Sequence, residues 1–288
     1  MQTQEQVKDM VRQKYAEIAL QDKGTNASSC CGAGGCSTEV YTIMSEDYTA
    51  LDGYNADADL GLGCGLPTQF AKIKKGDVVI DLGSGAGNDA FIARSETGET
   101  GKVIGIDFTP AMIERARQNN EVRGFNNVEF RQGDIENMPV TANTADVIVS
   151  NCVLNLVPNK DGVIKDIYRV LKPGGHFCIS DIVLEGELPK QIKEAAEMYA
   201  GCVAGAIQKQ VYLKLIEANG FKNITVQKNK AIIIPDDILS NYLSAAQITA
   251  FKQSGTFITS ITVYAEKEAP KFPEGGLEGA CCGSNCCN

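Results

Sequence analysis

Three cysteines stand alone in this chain, each beside glycine or asparagine: Cys64 in LGLGCGLP, Cys152 in VSNCVLNL and Cys202 in YAGCVAGA. A thiolate is a soft ligand and a good nucleophile, so isolated thiols on bare backbone suit soft-ligand chemistry. The chain has 11 cysteines but one histidine and no tryptophan. No two cysteines have C-x-x-C spacing, so neither a zinc knuckle nor a thioredoxin-type site is indicated. Cys178 alternates with Phe177 and Ile179 and is expected in the core. The remaining cysteines gather in SSCCGAGGC (30 to 36) and CCGSNCC (281 to 287). The single histidine, His176, begins a strand-like run and is expected to be structural.

Between the lone thiols lies V-V-I-D-L-G-S-G-A-G, which joins an apolar run to a helical one. Gly83, Gly85 and Gly87 let the chain turn sharply and let a ligand approach the backbone. A helix beyond such a turn offers free N–H groups. The loop departs from the dinucleotide fingerprint G-x-G-x-x-G because position 88 is Asn. Asp107 ends the next strand, where an acid can accept hydrogen bonds from both hydroxyls of a ribose.

The elements that must hold these residues follow from apolar periodicity. Residues 3 to 20 have helical spacing, and 22 to 38 and 45 to 67 read as loop. From Lys74 strands and helices alternate. DVVIDLG (77 to 83), KVIGID (102 to 107), NVEFRQGD (127 to 134), ADVIVSNC (145 to 152) and HFCISDIVL (176 to 184) are strands. The intervening helices include one with Thr109 as N-cap and Pro110 in its first turn. Helices are expected over 190 to 202, 209 to 219 and 236 to 251, and strands at NITVQKN and over 256 to 267. Short apolar runs separated by amphipathic helices predict a doubly wound, parallel α/β sheet. Ligands of such sheets gather outside the carboxyl ends of the strands, so Cys152 is expected beside Gly83, Asp107 and Asp134.

The net charge of −9 and a pI near 4.8 set the chain apart from proteins that bind nucleic acid or anionic lipid. Its apolar runs are strand-length, too short to span a membrane. The polar N-terminus lacks a signal core, so a cytoplasmic, reducing location and free thiols are expected. No heptad pattern stands out, and a monomer is the expected state.

DLGSGAG, the GID acid Asp107 and QGDIENMP together resemble the class I S-adenosylmethionine methyltransferases over about residues 70 to 185. The resemblance implies a Rossmann-like fold with a seven-stranded sheet. It also implies a donor site drawn from Asp81, Gly83, Ser84, Gly85, Gly87, Asp107, Phe108, Met112, Asp134, Ile135 and Asn151. DLGLGCG, SNCVLNL and YAGCVAGA in this order look like the arsenite S-adenosylmethionine methyltransferases, over about residues 40 to 266. By that likeness 1–69 carries an N-terminal helix and a substrate-side segment, and 70–185 the donor-binding core. Residues 186–267 carry arsenic-site helices and the final strands, and 268–288 a flexible tail.

The same resemblance makes Cys64, Cys152 and Cys202 the arsenic-related thiols. Cys152 and Cys202 bind As(III), and Cys64 either joins them or forms a disulfide between methylation rounds. A fourth thiol nearer the N-terminus is implied; Cys30, Cys31 and Cys36 all fit, and the sequence does not choose. The residue types agree with this chemistry. As(III) prefers thiolate to imidazole or carboxylate, and its lone pair needs no general base to accept a methyl group. Arsenite or methylarsenite is then the substrate, and thioredoxin or glutathione the external reductant of a protein disulfide. CCGSNCC matches no zinc spacing; it either captures a metalloid or has no consequence. Two other functions remain open: a methyltransferase for a carbon, oxygen or thiol substrate, and a metalloid-binding protein without catalysis.

Overall fold

The computed structural model describes residues 3–21, 46–194, 203 and 205–270. Cys30, Cys31, Cys36, Cys202 and the CCGSNCC segment lie outside the described residues.

A single sheet organises the chain. Its seven long strands are β1 (Val78–Leu82), β2 (Lys102–Asp107), β3 (Val128–Gln132), β4 (Ala145–Asn151), β5 (Leu171–Glu185), β7 (Lys222–Ile232) and β8 (Phe257–Glu266). They lie in the order β3-β2-β1-β4-β5-β8-β7, and a two-residue strand, β6 (Ile207–Gln208), pairs with β5 off that path. The first five are parallel neighbours; β8 runs antiparallel to both β5 and β7. Strand order reverses between β1 and β4, which opens a crevice at their carboxyl ends. Val79, Ile80 and Leu82 of β1 and Val147, Ile148 and Val149 of β4 are buried, as near-continuous apolar strands covered on both faces should be.

The helices are α1 (Gln4–Ala19), α2 (Asn88–Thr97), α3 (Pro110–Arg123), α4 (Lys160–Val170), α5 (Lys190–Glu194), α6 (Lys209–Ala218), α7 (Asp236–Ser240) and α8 (Ala245–Gln253). Several differ from expectation. Thr109 precedes α3, but its side chain makes no capping bond; Asp107 Oδ1 accepts the Thr109 N–H instead, at 2.8 Å. The helix expected over 190 to 202 is α5 as far as Glu194, and the rest of that run lies outside the described residues. The run 236 to 251 is two helices, because Ser244 and Gln247 form a capping box that starts α8 afresh. β7 extends well beyond NITVQKN; its lysine-rich alternation suits an edge strand. β5 begins at Leu171, and its register against β4 shifts between Ala145 and Val147.

Helix α1 is amphipathic and lies on the core. Thr3 caps it reciprocally with Gln6, and Val11 and Ile18 are buried. Arg115 of α3 donates to the carbonyls of Ala19 and Gln21 at its far end. Cys178 is buried and unpaired, and burial pushes its thiol up to about 12. His176 Nε2 meets the Ala71 carbonyl oxygen, and burial lowers the ring's pKa. No helix among the described residues is long and apolar enough to cross a membrane.

Candidate functional site

A cleft of about 1050 Å³, its mouth included, opens at the crevice between β1 and β4. The glycine loop forms its floor. Gly83 takes φ +65°, and a Cβ there would lie 2.3 Å from Val153 Cγ2. Gly85 takes φ +50° with open space where a Cβ would stand, and its N–H donates to Asp107 Oδ2 at 3.1 Å. Asn88, which breaks the dinucleotide pattern, accepts the Asn55 N–H. That bond ties the acidic 52–60 segment to the loop and brings Asp59 to the cleft wall.

Asp81, Gly83, Ser84, Gly85, Asp107, Phe108, Asp134, Ile135, Asn151 and Cys152 all line the cleft. Gly87 and Met112 do not. Gly87 is the left-handed residue before α2, packed on Phe130 and Phe91, and Met112 is buried in the apolar layer between α3 and the sheet. Cys64 lies behind the wall rather than on it.

The cleft is acidic. Burial, then the charges of Asp89 and Asp107, pushes the Asp81 carboxyl well above the usual carboxylate range. Burial raises Asp107 too, against the amides of Thr109 and Gly85 that favour its charged form. Asp89, in the first turn of α2, is raised to about 6, first by burial. Asp81 Oδ2, Asp89 Oδ1 and Ser84 Oγ are buried without a hydrogen-bond partner. Polar atoms so placed invite a ligand that carries positive charge and donors. At the other end, Lys8 of α1 pairs with Asp134 at 2.7 Å and Glu136 at 2.8 Å. Arg12 lies over the Phe108 ring, 5.4 Å from its centre. Helix α1 therefore forms part of the cleft.

The two described lone thiols meet beside this cleft. Cys152 follows the last residue of β4 at φ +59°, a left-handed conformation rare for a non-glycine residue. Its N–H donates to the Ser180 carbonyl oxygen. Cys64 sits in a loop laid across the ends of β4, β5 and β8. Asn151 holds that loop, accepting the Cys64 N–H at 3.0 Å and donating to the Gly65 carbonyl at 2.8 Å. Ser260 of β8 donates to the Cys64 carbonyl. Glycine is required on both sides. A Cβ at 63 would come within 2.7 Å of Asn151 Nδ2, and one at 65 within 2.4 Å of Ser180 Oγ.

The result corrects the expectation of free thiols drawn from composition, and takes the disulfide alternative left to Cys64: Cys64 and Cys152 are joined by a disulfide, with Cα atoms 5.8 Å apart. The seating of the loop by Asn151 is the physical cause, since it brings the two backbones within bridging range. The disulfide is buried, with Cys64 0% and Cys152 4% exposed, in an apolar cluster with Leu156, Ile182, Val203 and Ile258. Among the described residues no three His, Cys, Asp or Glu side chains gather as a metal site. The third lone thiol, Cys202, lies outside them.

Several cleft residues escaped the sequence reading: Lys8, Tyr15, Tyr48, Asp59 and Asp89. Lys8 had a signal. It shares a helical face with Val11, Tyr15 and Ile18, where a charge is out of place unless it has a buried partner. Tyr48 had none, since its role comes from contacts with Gly65, Asp89 and Asn151 alone.

Comparison with known proteins adds to this geometry. Residues 73–220 match a family described as a methyltransferase domain. The chain is 39% identical over 282 residues to an arsenite methyltransferase of Halobacterium salinarum, covering 92% of this chain and 68% of the relative. It is 29% identical over 246 residues to an arsenite methyltransferase of Aquipseudomonas alcaligenes, covering 83% and 69%. The crystal structure of an arsenic(III) S-adenosylmethionine methyltransferase from Chlamydomonas reinhardtii superposes with a TM-score of 0.61 at 33% identity. That match covers 72% of this chain and 68% of the other.

Proposed function

The chain belongs to the arsenite methyltransferase family of S-adenosylmethionine-dependent enzymes, and from that premise we propose that it methylates trivalent arsenic held by its own thiolates. The observation that carries this reading is the meeting of Cys64 and Cys152 at the wall of the cleft, with Cys152 facing it. Val203, one residue from Cys202, packs in the apolar cluster around the same disulfide, which supports a third thiol from that segment.

The cleft fits S-adenosylmethionine. Its unpartnered acidic oxygens suit a cationic ligand, Gly85 leaves the backbone open, and Asp107 stands where a ribose acid belongs. When bound, this donor supplies a methyl carbon made electrophilic by a sulfonium. Asp81, Asp89 and Ser84 would hold the charged end, Asp107 the ribose, and Asp134 and Ile135 the base. The apolar setting of the thiols excludes water from the arsenic and favours a neutral metalloid over an anion.

The thiols also have a redox task. Methylation takes arsenic from the trivalent to the pentavalent state. Two thiolates that each give up one electron restore it and close a disulfide, and Cys64 and Cys152 are placed to form that bond. An external thiol of the thioredoxin or glutathione class must then reopen it, which suits a cytoplasmic setting.

The test is direct. The protein is incubated with arsenite, S-adenosylmethionine and a thiol, and arsenic species are separated. Methylated arsenic is expected, and recovery of inorganic arsenic alone would sink the reading. Cys152→Ser should abolish methylation while leaving donor affinity intact. Full activity of that variant would sink the assignment of Cys152 to the arsenic site.

A further inference from the structure

Between the glycine loop and the Cys64 loop lies a polar network that links Asp89, at the donor's charged end, to the turn that Asn151 seats. Asp89 Oδ2 sits 3.2 Å from the Tyr48 hydroxyl and 3.2 Å from Asn151 Nδ2. Tyr48 and Asn151 also bond to each other, and both reach the Gly65 carbonyl oxygen, at 3.0 and 2.8 Å. Asn151 Oδ1 accepts the Cys64 N–H. Among the described residues, every side-chain hydrogen bond to the Gly63–Cys64–Gly65 turn except that of Ser260 therefore passes through two groups that share one carboxylate oxygen. The other oxygen, Asp89 Oδ1, is shielded and unpartnered in a residue that lines the cleft.

We propose that Asp89 is a positioning residue through which the positive charge of the bound methyl donor tightens the loop that carries Cys64. The proposal rests on the donor lying in this cleft, as proposed above. Without a cation the local field opposes ionisation of Asp89: burial comes first, and the neighbouring Asp59 adds to it. A cation in the cleft favours the carboxylate, and a carboxylate accepts stronger hydrogen bonds than a carboxylic acid. The bonds from Tyr48 and Asn151 strengthen, and the turn they hold is pinned against β4 and β5. Loss of the methyl group turns the donor's sulfonium into a neutral thioether. The field on Asp89 relaxes, the hold weakens, and the Cys64–Cys152 bond becomes open to an external thiol. The turn is thus held firmly while methyl transfer is pending and released when reduction is due.

The test reads the disulfide rather than turnover. The protein is prepared with Cys64–Cys152 closed. The rate at which dithiothreitol opens it is followed by alkylation and intact mass, under saturating S-adenosylmethionine, S-adenosylhomocysteine or sinefungin. Sinefungin carries an ammonium in place of the sulfonium and has no methyl to transfer. The three ligands fill similar space, so a difference among them reports charge. Opening is expected to be about fivefold slower with either ligand of net positive charge than with S-adenosylhomocysteine, whose ammonium is balanced by its own carboxylate, the effect of roughly one strengthened hydrogen bond. Asp89→Asn should bring the three rates together, and so should Tyr48→Phe, which keeps the carboxylate but removes the hydroxyl. Equal rates in the wild-type protein would overturn the proposal, as would an undiminished ratio in either variant. Asp107→Ala separates this failure from failure of the donor's placement. If it weakens donor binding while the wild-type rates are equal, only the clamp is wrong. If it leaves binding unchanged, the placement and the clamp fall together.

Discussion

At the scale of single residues, the site depends on atoms that only one residue type can supply. Asp107 serves the cleft twice: it anchors the glycine loop through the Gly85 amide and turns the chain into α3 through the Thr109 amide. Hydrogen bonds to a charged group are worth about 1.5–3 kcal/mol, so Asp107→Ala should weaken S-adenosylmethionine binding about ten- to hundredfold by titration calorimetry. Gly65 makes the opposite demand, for no side chain at all. Its Cβ would collide with Ser180, whose hydroxyl shares a hydrogen bond with Thr262 of β8. Gly65→Ala should cost about 1–3 kcal/mol of stability in urea unfolding, the usual range for overpacking a tight site. It should also slow closure of the Cys64–Cys152 bond by mild oxidants. A variant that closes it at the wild-type rate would show that the seating of this loop does not set the approach of the two thiols.

At the scale of elements, two contacts bear on the site from outside the central strands. Helix α1 contributes Lys8, whose ammonium burial would pull down but whose carboxylate partners Asp134 and Glu136 hold above its ordinary value. Removing residues 1 to 20 uncovers Phe108 and frees Asp134, and it should weaken donor binding about tenfold through lost packing and a lost partly buried ion pair. Unchanged affinity in equilibrium dialysis would make α1 a mere cover. The second contact joins β5 to α6. Asp181 is buried and interacts with the Tyr212 side chain of α6. Burial pushes this carboxyl up to about 7, with Lys160 drawing it back. An unfolded chain titrates the group near 4, so the folded state keeps the proton longer. The stability it contributes is full below about pH 4 and is lost as pH rises through about 7. Thermal melts of the wild-type protein should therefore fall from pH 6 to 8, and Asp181→Asn should flatten that fall. Parallel slopes in the two proteins would place the pH dependence elsewhere.

Legibility in the sequence follows the same division. Strands β1 to β4 and the buried 176 to 184 stretch of β5 announce themselves as short apolar runs beside turn residues, and the glycine loop is a local motif of a few residues. Cys152 could be placed because the rule for open α/β sheets turns a position in sequence into a position at an edge. Partnership across distance could not be read. Lys8 reaches Asp134 across 126 residues, and Asn151 meets Tyr48 across 103. Nothing near Tyr48 in the chain says that its hydroxyl belongs to the Cys64 loop. The family likeness allowed Cys64 a disulfide, but its partner Cys152 was hidden for a related reason. Composition speaks for the compartment of a whole protein, whereas the approach of Cys64 to Cys152 is fixed by Asn151 and two glycines. After Leu188 the helix over 209 to 219 was legible to within a residue, while the run 236 to 251 hid a break at the Ser244 cap that is no lapse in periodicity.

At the scale of the whole molecule, the disulfide joins two parts of the fold that the sheet alone does not connect. Cys64 precedes the first strand and Cys152 leaves the fourth, so the bond closes a loop of 88 residues that contains β1 to β4 and the glycine loop. Cross-linking a loop of that length removes much of the freedom of the unfolded chain, and the measured benefit of such bonds is typically about 2–4 kcal/mol. In a domain of this size each kcal/mol moves the melting midpoint by about 2–4 °C, so reduction should lower the midpoint by roughly 5–15 °C. The oxidised protein is then the stiffer form, and on the proposed function the reduced form, which alone has free thiolates at both positions, is the one that takes arsenic. Metalloid binding should return part of the lost stability, because a ligand that bridges Cys152 to other thiols stabilises the folded state alone. Differential scanning calorimetry on oxidised, reduced, and reduced arsenite-loaded protein should give midpoints in the order oxidised, then arsenite-loaded, then reduced. If arsenite left the reduced midpoint where it was, while Cys152→Ser melted at the same temperature as the reduced wild type, the thiols would be a structural clasp and not a substrate site.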